Sequence, residues 1–301
     1  MGGGVWEQLR NRVVAFVTWT VISLVISAVL AHVTNSDALA GPGTQHDAAL
    51  VGAVVRPGEI GATLADVGGL KSAKEELYLS LLLPLRYPRL FFRPSGPFAS
   101  SRGFLLTGPP GCGKTLLAKA IAKTCDCCFI APTLSTLFSK YYGESQKLIG
   151  ALFGTARRRA PSIIFLDECD AAFRARSDET SGCDYALLTE FLTHMDGLRT
   201  ERTEAVVCIG ATNCPAALDP ALRRRLPVHI QIGLPDASER RHIVRLACRD
   251  EPSSSADGFD ALGDEATDGL SGSDLHEAYR AASRLRLRAL LRDANGALPR
   301  A

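Results

Sequence analysis

The sequence predicts an α/β fold in which a parallel five-stranded sheet is flanked by helices and followed by a small all-α lid. Apolar strand-like runs alternate with helical segments between residues 63 and 235, and such alternation is typical of a mostly parallel sheet. From residue 236 to residue 301 the pattern is wholly helical, which predicts the lid. One glycine-rich turn between a strand and a helix indicates where the chemistry of this fold should lie.

The predicted strands are short and apolar, at 102–107, 127–131, 162–167, 205–211 and 228–232. The predicted helices of the sheet domain follow or precede these strands, at 70–83, 114–124, 144–158, 185–196 and 215–222. The lid should add two longer helices, at 236–249 and 272–292.

Residues 108–115 read GPPGCGKT, the pattern of a phosphate-binding loop between a strand and a helix. Its glycines allow positive φ, so that backbone N–H groups can converge on an anion at the helix N-terminus. Lys114 would reach the β- and γ-phosphates, and Thr115 would supply a hydroxyl to Mg²⁺. The predicted ATP contacts of the loop are Gly108, Pro109, Pro110, Gly111, Cys112, Gly113, Lys114, Thr115 and Leu116.

Two acids end the apolar strand at 162–167 and are candidates for the hydrolytic chemistry. An uninterrupted apolar run implies a strand buried on both faces, so its acidic end should lie at the sheet edge beside the phosphate loop. Asp167 would hold Mg²⁺, through water or through Thr115, and Glu168 would act as the general base for the attacking water. Alone, such an ending is more often a strand meeting solvent; about fifty residues after a phosphate loop it predicts a hydrolytic site.

Two further polar features follow later in the chain, and each has an ordinary structural interpretation as well. Asn213 ends the strand at 205–211 and could orient the water or sense the γ-phosphate, although an Asn there is often a turn residue. Arg223, Arg224 and Arg225 end a short helix, where they could simply complement the helix C-terminus. Their other interpretation is that they stabilise charge on a neighbouring subunit's γ-phosphate.

The N-terminal part of the chain predicts a membrane anchor. After a tail over 1–12, the run 13–33 contains no Asp, Glu, Lys or Arg. About 20 apolar residues at 1.5 Å per residue cross a hydrocarbon core of ~30 Å, so this run is a candidate transmembrane helix in contact with lipid. Residues 34–62, rich in Gly, Ala and polar side chains, should form a linker to the domain that begins at 63.

A cleaved secretory signal and a buried core helix are the other interpretations of 13–33. The tripeptide at 38–40, Ala-Leu-Ala, is typical of a signal cleavage site, but the run is long for a signal, and an ATP site has little use outside the cell. Arg10 and Arg12 precede the run, and no Lys or Arg follows before Arg56, which would keep the N-terminus in the cytosol. Access to ATP requires the reverse, and we expect the ATPase domain to be cytosolic.

Charge and cysteine content bear on the partners of the protein and on its redox environment. With 34 Lys and Arg against 32 Asp and Glu, the formal charge of +2 gives no reason to expect a nucleic-acid partner. The nine cysteines are odd in number and scattered, several of them within apolar strands, which favours a reducing compartment and buried thiols. The cluster at 125–128, Cys-Asp-Cys-Cys, lacks the partner Cys or His pair of a zinc site.

Six motifs occur in order along the chain and together resemble one module of the AAA family of ATPases, over roughly residues 63–290. They are DVGGL at 66–70, GPPGCGKT at 108–115, IIFLDE at 163–168, GATN at 210–213, LDPALRRR at 218–225 and GLSGSDL at 269–275. The resemblance implies a phosphate-binding-loop ATPase that uses ATP and Mg²⁺ and assembles as a homo-hexamer.

The same resemblance assigns roles to individual residues. The segment 66–70 is similar to the strip that packs on adenine, with the backbone of Val67 and Gly68 in contact. Gly272 and Ser273 match the second sensor position in the lid, and Arg224 and Arg225 match the pair of arginine fingers. The segment 140–145, KYYGES, resembles the first pore loop, in which Tyr141 and Tyr142 would grip unfolded polypeptide. Asp-Gly-Leu at 196–198 resembles the intersubunit signalling segment.

A single module behind an N-terminal span resembles the membrane-anchored AAA translocases of the mitochondrial outer membrane and peroxisome. Those enzymes extract mislocalised tail-anchored proteins, so the resemblance implies this substrate class and a single-pass anchor in the mitochondrial outer membrane, or also the peroxisome. That branch often has Trp where this chain has Tyr141.

Other functions share parts of the pattern, and one of them, a membrane metalloprotease, is rejected. Microtubule-severing and endosomal-sorting members share much of the module, but severing predicts a basic linker, and 34–62 contains Arg56 as its only Lys or Arg. An ATP-binding scaffold with weak catalysis is opposed by the intact pair Asp167 and Glu168. A membrane metalloprotease would need His-Glu-x-x-His, and the nearest segment, starting at His276, lacks the second histidine.

Overall fold

A six-stranded sheet in the order β1-β3-β4-β5-β2-β6 forms the centre of the computed structural model. The strands are β1 (Val54–Val55), β2 (Gly103–Thr107), β3 (Cys128–Ile130), β4 (Ser162–Leu166), β5 (Val206–Thr212) and β6 (Val228–Gln231). Strands β2 to β6 pair in parallel, and β1 pairs antiparallel with β3. The five predicted parallel strands are therefore confirmed as β2–β6.

The prediction of a five-stranded sheet is wrong by one strand. β1 lies in the segment 34–62 that was expected to be a linker, between two short 3-10 turns, Val51–Ala53 and Pro57–Glu59. A two-residue strand has no alternation long enough to read in a sequence. It exists because the edge of β3 offers it a partner, with Val54 opposite Ile130 and Val55 opposite Phe129.

The structure describes residues 50–87, 91, 101–137, 144–174, 182–200, 205–249 and 266–293. These residues belong to one unit, Gln45–Ala301. The predicted anchor at 13–33 and the predicted pore-loop residues Tyr141 and Tyr142 lie outside the described residues. Within the described part of the chain, no helix is long and apolar enough to cross a membrane.

The helices of the described residues are α1 (Lys71–Leu77), α2 (Leu83–Arg86), α3 (Lys114–Thr124), α4 (Leu134–Leu137), α5 (Glu144–Arg158), α6 (Cys169–Ala172), α7 (Gly182–Thr200), α8 (Pro220–Arg225), α9 (Ala237–Cys248) and α10 (Gly272–Asp293). A π-helical turn, Tyr78–Leu82, joins α1 to α2. Most predicted helices agree with these bounds within a few residues; α4 and α6 are one-turn helices that the sequence pattern did not reveal.

The prediction of one continuous helix at 215–222 is wrong. The segment contains a 3-10 turn, Pro215–Ala217, then an extended residue, Leu218, and then α8. Pro220 causes the break, because a proline disfavours helical φ and ψ at the residue before it but suits the first turn of a helix. Asp219 caps the new helix, with its side-chain oxygen accepting the N–H of Ala221 at 2.7 Å.

Alternate residues of the strands pack into two separate apolar layers, one on each face of the sheet. Phe104, Leu106 and Phe165 join the layer that includes α1 and α3. Leu105 and Leu166 join the other layer, together with α5 and α7. Every residue of β4 and β5 is buried, as expected for parallel strands covered on both faces, so the polar side chains of these elements can emerge only at the strand ends.

The lid helices α9 and α10 pack on each other through a small apolar cluster of Val244, Cys248 and Leu275. The start of α9 is set by a capping box, in which Asp236 accepts the N–H of Glu239 and Glu239 accepts the N–H of Asp236. Asp236 and Asp274 are acids in such caps, and hydrogen bonds at the helix N-termini lower the pKa of both carboxyls.

Gly103 on β2 is required by a close backbone contact, and this gives a stability prediction. A Cβ at residue 103 would lie 1.9 Å from the carbonyl oxygen of Arg225, the last residue of α8. Gly103→Ala must push these two backbones apart, and we expect a loss of about 1–3 kcal/mol of folding free energy and a midpoint lower by several degrees. Thermal unfolding of the full-length protein measures this.

Gly58→Ala is the matched control, since a Cβ there has no atom within 4 Å and the residue has no positive φ. Equal melting temperatures for Gly103→Ala and Gly58→Ala would contradict the proposed contact.

Candidate active site

The turn from β2 into α3 is shaped by two glycines that no other residue could replace without strain. Gly113 precedes α3 in the left-handed conformation, with φ of 89°. Gly108 has φ of 149°, and a Cβ there would lie 1.8 Å from the carbonyl oxygen of Ile232. The loop that follows β2 therefore lies against the end of β6. Its N–H groups lead into the N-terminus of α3.

Lys114 is buried beneath this loop and its ammonium group is the centre of a polar cluster. The Nζ atom donates to the carbonyl oxygens of Gly108 and Pro109, both at 2.8 Å, and to Oδ1 of Asn213 at 2.6 Å. Burial lowers the pKa of Lys114, while the nearby acids Asp167 and Asp170 oppose this shift. The amine is thus held where a polyphosphate bound by the loop would lie.

Thr115 and Asp167 bring two hard oxygen ligands together. The Thr115 hydroxyl donates to Oδ2 of Asp167 at 2.7 Å, so the first turn of α3 is joined to the end of β4. Oxygen ligands of this kind suit Mg²⁺, which takes few protein ligands and keeps waters and phosphate oxygens. Across the described residues, no cluster of three or more His, Cys, Asp or Glu side chains could hold a metal ion. The two oxygen atoms of this pair fit a magnesium ion whose remaining ligands would be waters and phosphate oxygens.

Glu168 is exposed and stands next to this pair. It takes the left-handed backbone conformation, with φ of 49°, and caps the start of α6. Its N–H donates to Oδ1 of Asp167 at 3.1 Å. Its carboxylate makes no hydrogen bond to another of the residues that the structure describes. A non-glycine residue in this conformation is uncommon and marks a turn that directs a side chain away from the strand.

Among the described residues, three polar contacts and one apolar contact hold the lid against the other side of the site. Ser273 at the start of α10 donates its N–H to the carbonyl oxygen of Gly111 at 3.1 Å. Glu239 of α9 accepts the N–H of Leu70 at 2.6 Å. The backbone of Gly68 lies so close to Ile243 that a Cβ would be 2.5 Å from Cγ1 of that side chain.

The third polar contact is an ion pair between Asp66 and Arg249, 2.5 Å apart. Hydrogen bonds from Thr63, with a further contribution from Arg249, lower the pKa of Asp66 to about 2, so its carboxylate is ionised at any physiological pH. The segment 66–70 is therefore joined to the lid along its length.

A cleft of about 710 Å³ lies between the loop, this segment and the lid. It is large enough for a nucleotide. Most predicted site residues line it: Val67, Gly68, Pro110, Gly111, Cys112, Gly113, Lys114, Thr115, Leu116, Asp167, Glu168, Asn213, Gly272 and Ser273. Gly108 and Pro109 lie behind it and contact the Lys114 amine. Cys112 is buried, and burial raises the pKa of its thiol.

Several lining residues were not singled out as ATP contacts from the sequence, namely Gly61, Ala62, Asp66, Leu70, Ile243, Leu246, Arg249 and His276. Ile243 and Leu246 are ordinary apolar positions of a lid helix, and only the docking of α9 brings them to the cleft. The motif at 66–70 was a usable signal for Asp66 and Leu70. The other lining residues have no such signal in the sequence.

The two predicted arginine fingers lie away from the cleft in this chain. Arg225 makes a two-pronged contact with Asp196, through Nε at 3.2 Å and Nη2 at 2.9 Å, and this contact raises the pKa of Arg225. Arg224 is exposed on α8. Their separation from their own site is what a role at another subunit's site requires, and that role remains a prediction.

Comparisons with known proteins identify the family of this chain. The model of the family described as "ATPase family associated with various cellular activities (AAA)" matches residues 104–234. A zebrafish (Danio rerio) protein called outer mitochondrial transmembrane helix translocase is 40% identical over 83% of this chain and 65% of its own. The human protein of that name is 38% identical over 81% of this chain and 67% of its own.

Two further relatives extend the comparison. A Caenorhabditis elegans protein called mitochondrial sorting homolog is 38% identical over 82% of this chain and 71% of its own. The crystal structure of the FIGL-1 AAA domain in complex with ADP superimposes with a TM-score of 0.69, at 33% identity, over 82% of this chain and 81% of that one.

The chain belongs to the AAA family of ATPases, as its six ordered motifs predicted. Its α/β domain therefore has the nucleotide-binding fold of that family, and most of the residues predicted to bind ATP line the cleft described above. The chain spans about two thirds of the length of the curated relatives that it matches.

Proposed function

We propose that the chain hydrolyses ATP in this cleft, with Mg²⁺, and couples hydrolysis to the extraction of proteins from a membrane. The observation that carries the hydrolytic part is the contact between Thr115 and Asp167, 2.7 Å long, directly beside the Lys114 amine and the exposed Glu168. A metal-ligand pair, a buried cation and an exposed carboxylate at one edge of a sheet are the parts that phosphoryl transfer to water requires.

Each of these residues has a separate task in the proposed reaction. The N–H groups at the start of α3 and the Lys114 amine bind and orient the phosphates. Thr115 and Asp167 would hold Mg²⁺, which would supply positive charge beside the phosphates. Glu168 accepts the proton of the attacking water. Asn213, which contacts the Lys114 amine at 2.6 Å, orients that water or the γ-phosphate. Val67 and Gly68 pack on the base from one side and Gly272 and Ser273 close the other.

Glu168→Gln is the direct test of the hydrolytic role. The amide cannot accept the proton, so we expect ATP turnover of the full-length protein to fall about 10²- to 10⁴-fold while ATP still binds. Phosphate release measures the first quantity and binding of a fluorescent ATP analogue the second. Glu75→Gln, an exposed change on α1, is the matched control.

Equal, background-level rates of ATP hydrolysis in the wild type and in Glu168→Gln would contradict the motor function and favour a scaffold that binds ATP without hydrolysing it.

Arg224 and Arg225 are proposed to complete the site of a neighbouring subunit in a homo-hexamer. They lie at the end of α8, outside the cleft of their own chain, and Arg225 is oriented by Asp196. A guanidinium supplied by a second subunit would stabilise charge on the transferring phosphate and make hydrolysis depend on assembly. Because the contact repeats head to tail, each interface would contain one complete site.

Mixing two inactive variants tests this arrangement. Glu168→Gln and Arg224→Ala are each expected to lose most ATPase activity, but a mixed ring contains interfaces with one intact Glu168 facing one intact Arg224. After subunit exchange we expect roughly a quarter of the interfaces to be active. A mixture as inactive as its parts, in assemblies shown by light scattering to be mixed, would place the arginine role within one chain.

The membrane part of the proposal rests on the relatives, whose printed name is outer mitochondrial transmembrane helix translocase. The run at 13–33 would supply a single-pass anchor in the mitochondrial outer membrane, with a peroxisomal pool as a further location. The ATPase domain would face the cytosol, and Tyr141 and Tyr142 would grip the polypeptide in the central pore. Mislocalised tail-anchored proteins are the proposed substrates.

Location and extraction can be tested on the same organelles. Protease added to intact mitochondria is expected to digest a C-terminal tag on the full-length chain, and a mislocalised tail-anchored reporter should leave the membrane with wild-type protein but not with Glu168→Gln. A tag protected until the outer membrane is opened would contradict the cytosolic orientation, and equal reporter release by both proteins would contradict extraction by this ATPase.

A further inference from the structure

We propose that Thr212 and Asp170 form a positioning pair that holds Asn213 and Glu168 in their working arrangement, an inference that rests on the ATPase function proposed above. Neither residue lines the cleft. They lie directly behind it, Thr212 as the last residue of β5 and Asp170 in the first turn of α6.

The contact between them is short and partly buried. The Thr212 hydroxyl donates to Oδ1 of Asp170 at 2.5 Å, and Thr212 is only 1% exposed. A hydrogen bond to a carboxylate is stronger than one between neutral groups, and it strengthens further when water is excluded. The bond therefore joins β5 to α6 firmly at the end of the sheet where the reaction takes place.

The Thr212 hydroxyl links the two residues that flank Asn213. Thr212 precedes it, and the N–H of Cys214, which follows it, donates to the Thr212 oxygen at 3.0 Å. The loop around Asn213 is thus closed on itself, and its amide oxygen reaches the Lys114 amine at 2.6 Å. Because the hydroxyl also donates to Asp170, the direction of the Asn213 side chain depends on where α6 lies.

Glu168 is connected to the same pair from the other side. It is the residue at the N-cap position of α6, two positions before Asp170. Among the described residues, its position is set by its backbone turn and by the N–H bond to Asp167. A shift of α6 would therefore move Glu168 relative to Asn213. Reacting groups must be held within a fraction of an ångström, and a misplacement of about 1 Å can cost on the order of 100-fold in rate.

Two backbone contacts further along hold the same two segments together. The N–H of Asp219 donates to the carbonyl oxygen of Phe173 at 3.0 Å, and Arg174 bridges to Leu218. These contacts do not involve the Thr212 or Asp170 side chains, so loss of the pair should loosen the end near the site and leave the rest joined. The effect is expected on the rate of hydrolysis rather than on folding.

Paired substitutions separate positioning from a purely structural role. Thr212→Val keeps the shape and removes the donor, and Asp170→Ala removes the acceptor while leaving the bond from Cys214. Each is expected to lower kcat about 10- to 100-fold and to change the affinity for ATP less than twofold. Thr212→Ser and Asp170→Asn retain a donor and an acceptor and should recover most of the rate. Thr124→Val, which removes a hydroxyl bonded within α3, is the matched control.

The double variant Thr212→Val with Asp170→Ala adds a test of the bond itself. If the two side chains act through one contact, the double variant should be no slower than the slower single variant. Steady-state ATPase assays, binding of a fluorescent ATP analogue and thermal unfolding are measured on the same full-length preparations.

Three outcomes overturn the inference: unchanged kcat in both single variants, ATP affinity that falls in parallel with kcat, or no recovery in Thr212→Ser and Asp170→Asn. If Thr212→Val does not fold, the kcat and ATP affinity of Asp170→Ala test the inference by themselves. The wild type and Glu168→Gln are assayed alongside, because equal rates for those two would reject the ATPase function itself, whereas an active wild type with equally active pair variants rejects only the positioning role.

Discussion

Parallel pairing of β4, β5 and β2 is the constraint on which the whole site depends. The three strands lie side by side in that order, and their carboxyl ends meet at one edge of the sheet. Thr107 is paired with Thr212, so the residues that follow them, Gly108 and Asn213, are neighbours although they are about a hundred positions apart in the chain. Asp167 and Asn213 follow β4 and β5 at this edge because the strand interiors are buried on both faces, and Lys114 and Thr115 of α3 contact them there.

The cleft has two sides with different kinds of support. The phosphate side is built on the sheet, where Lys114 and Thr115 are tied to the ends of β2, β4 and β5 by side-chain hydrogen bonds. The other side is formed by the segment 66–70 and the lid, which meet through single polar contacts and the close approach of Gly68 to Ile243. Fewer buried contacts hold the second side, so a change of nucleotide would be expected to move the lid before it moved the sheet.

Local signals in the sequence were sufficient for the elements with long patterns. The helix predicted at 114–124 has the same bounds as α3, since it begins at a glycine turn and ends after a run of apolar and small residues. The helix predicted at 144–158 likewise agrees with α5. Short elements were missed: β1 has two residues and depends on the edge of β3, and α6 has four residues after a left-handed Glu168. No periodicity exists over such lengths.

The sequence by itself determined the class of fold, the phosphate-binding loop, the acids after β4 and the amide after β5, because each is a property of a strand end or turn that neighbouring residues encode. Only the tertiary structure decided which groups meet. It joined Lys114 to Asn213, Thr212 to Asp170 and Arg225 to Asp196, and it brought Ile243 and Leu246 of the lid to the cleft. Such contacts depend on strand order, register and lid docking, which arise from the packing of the two apolar layers and leave no mark at the individual positions.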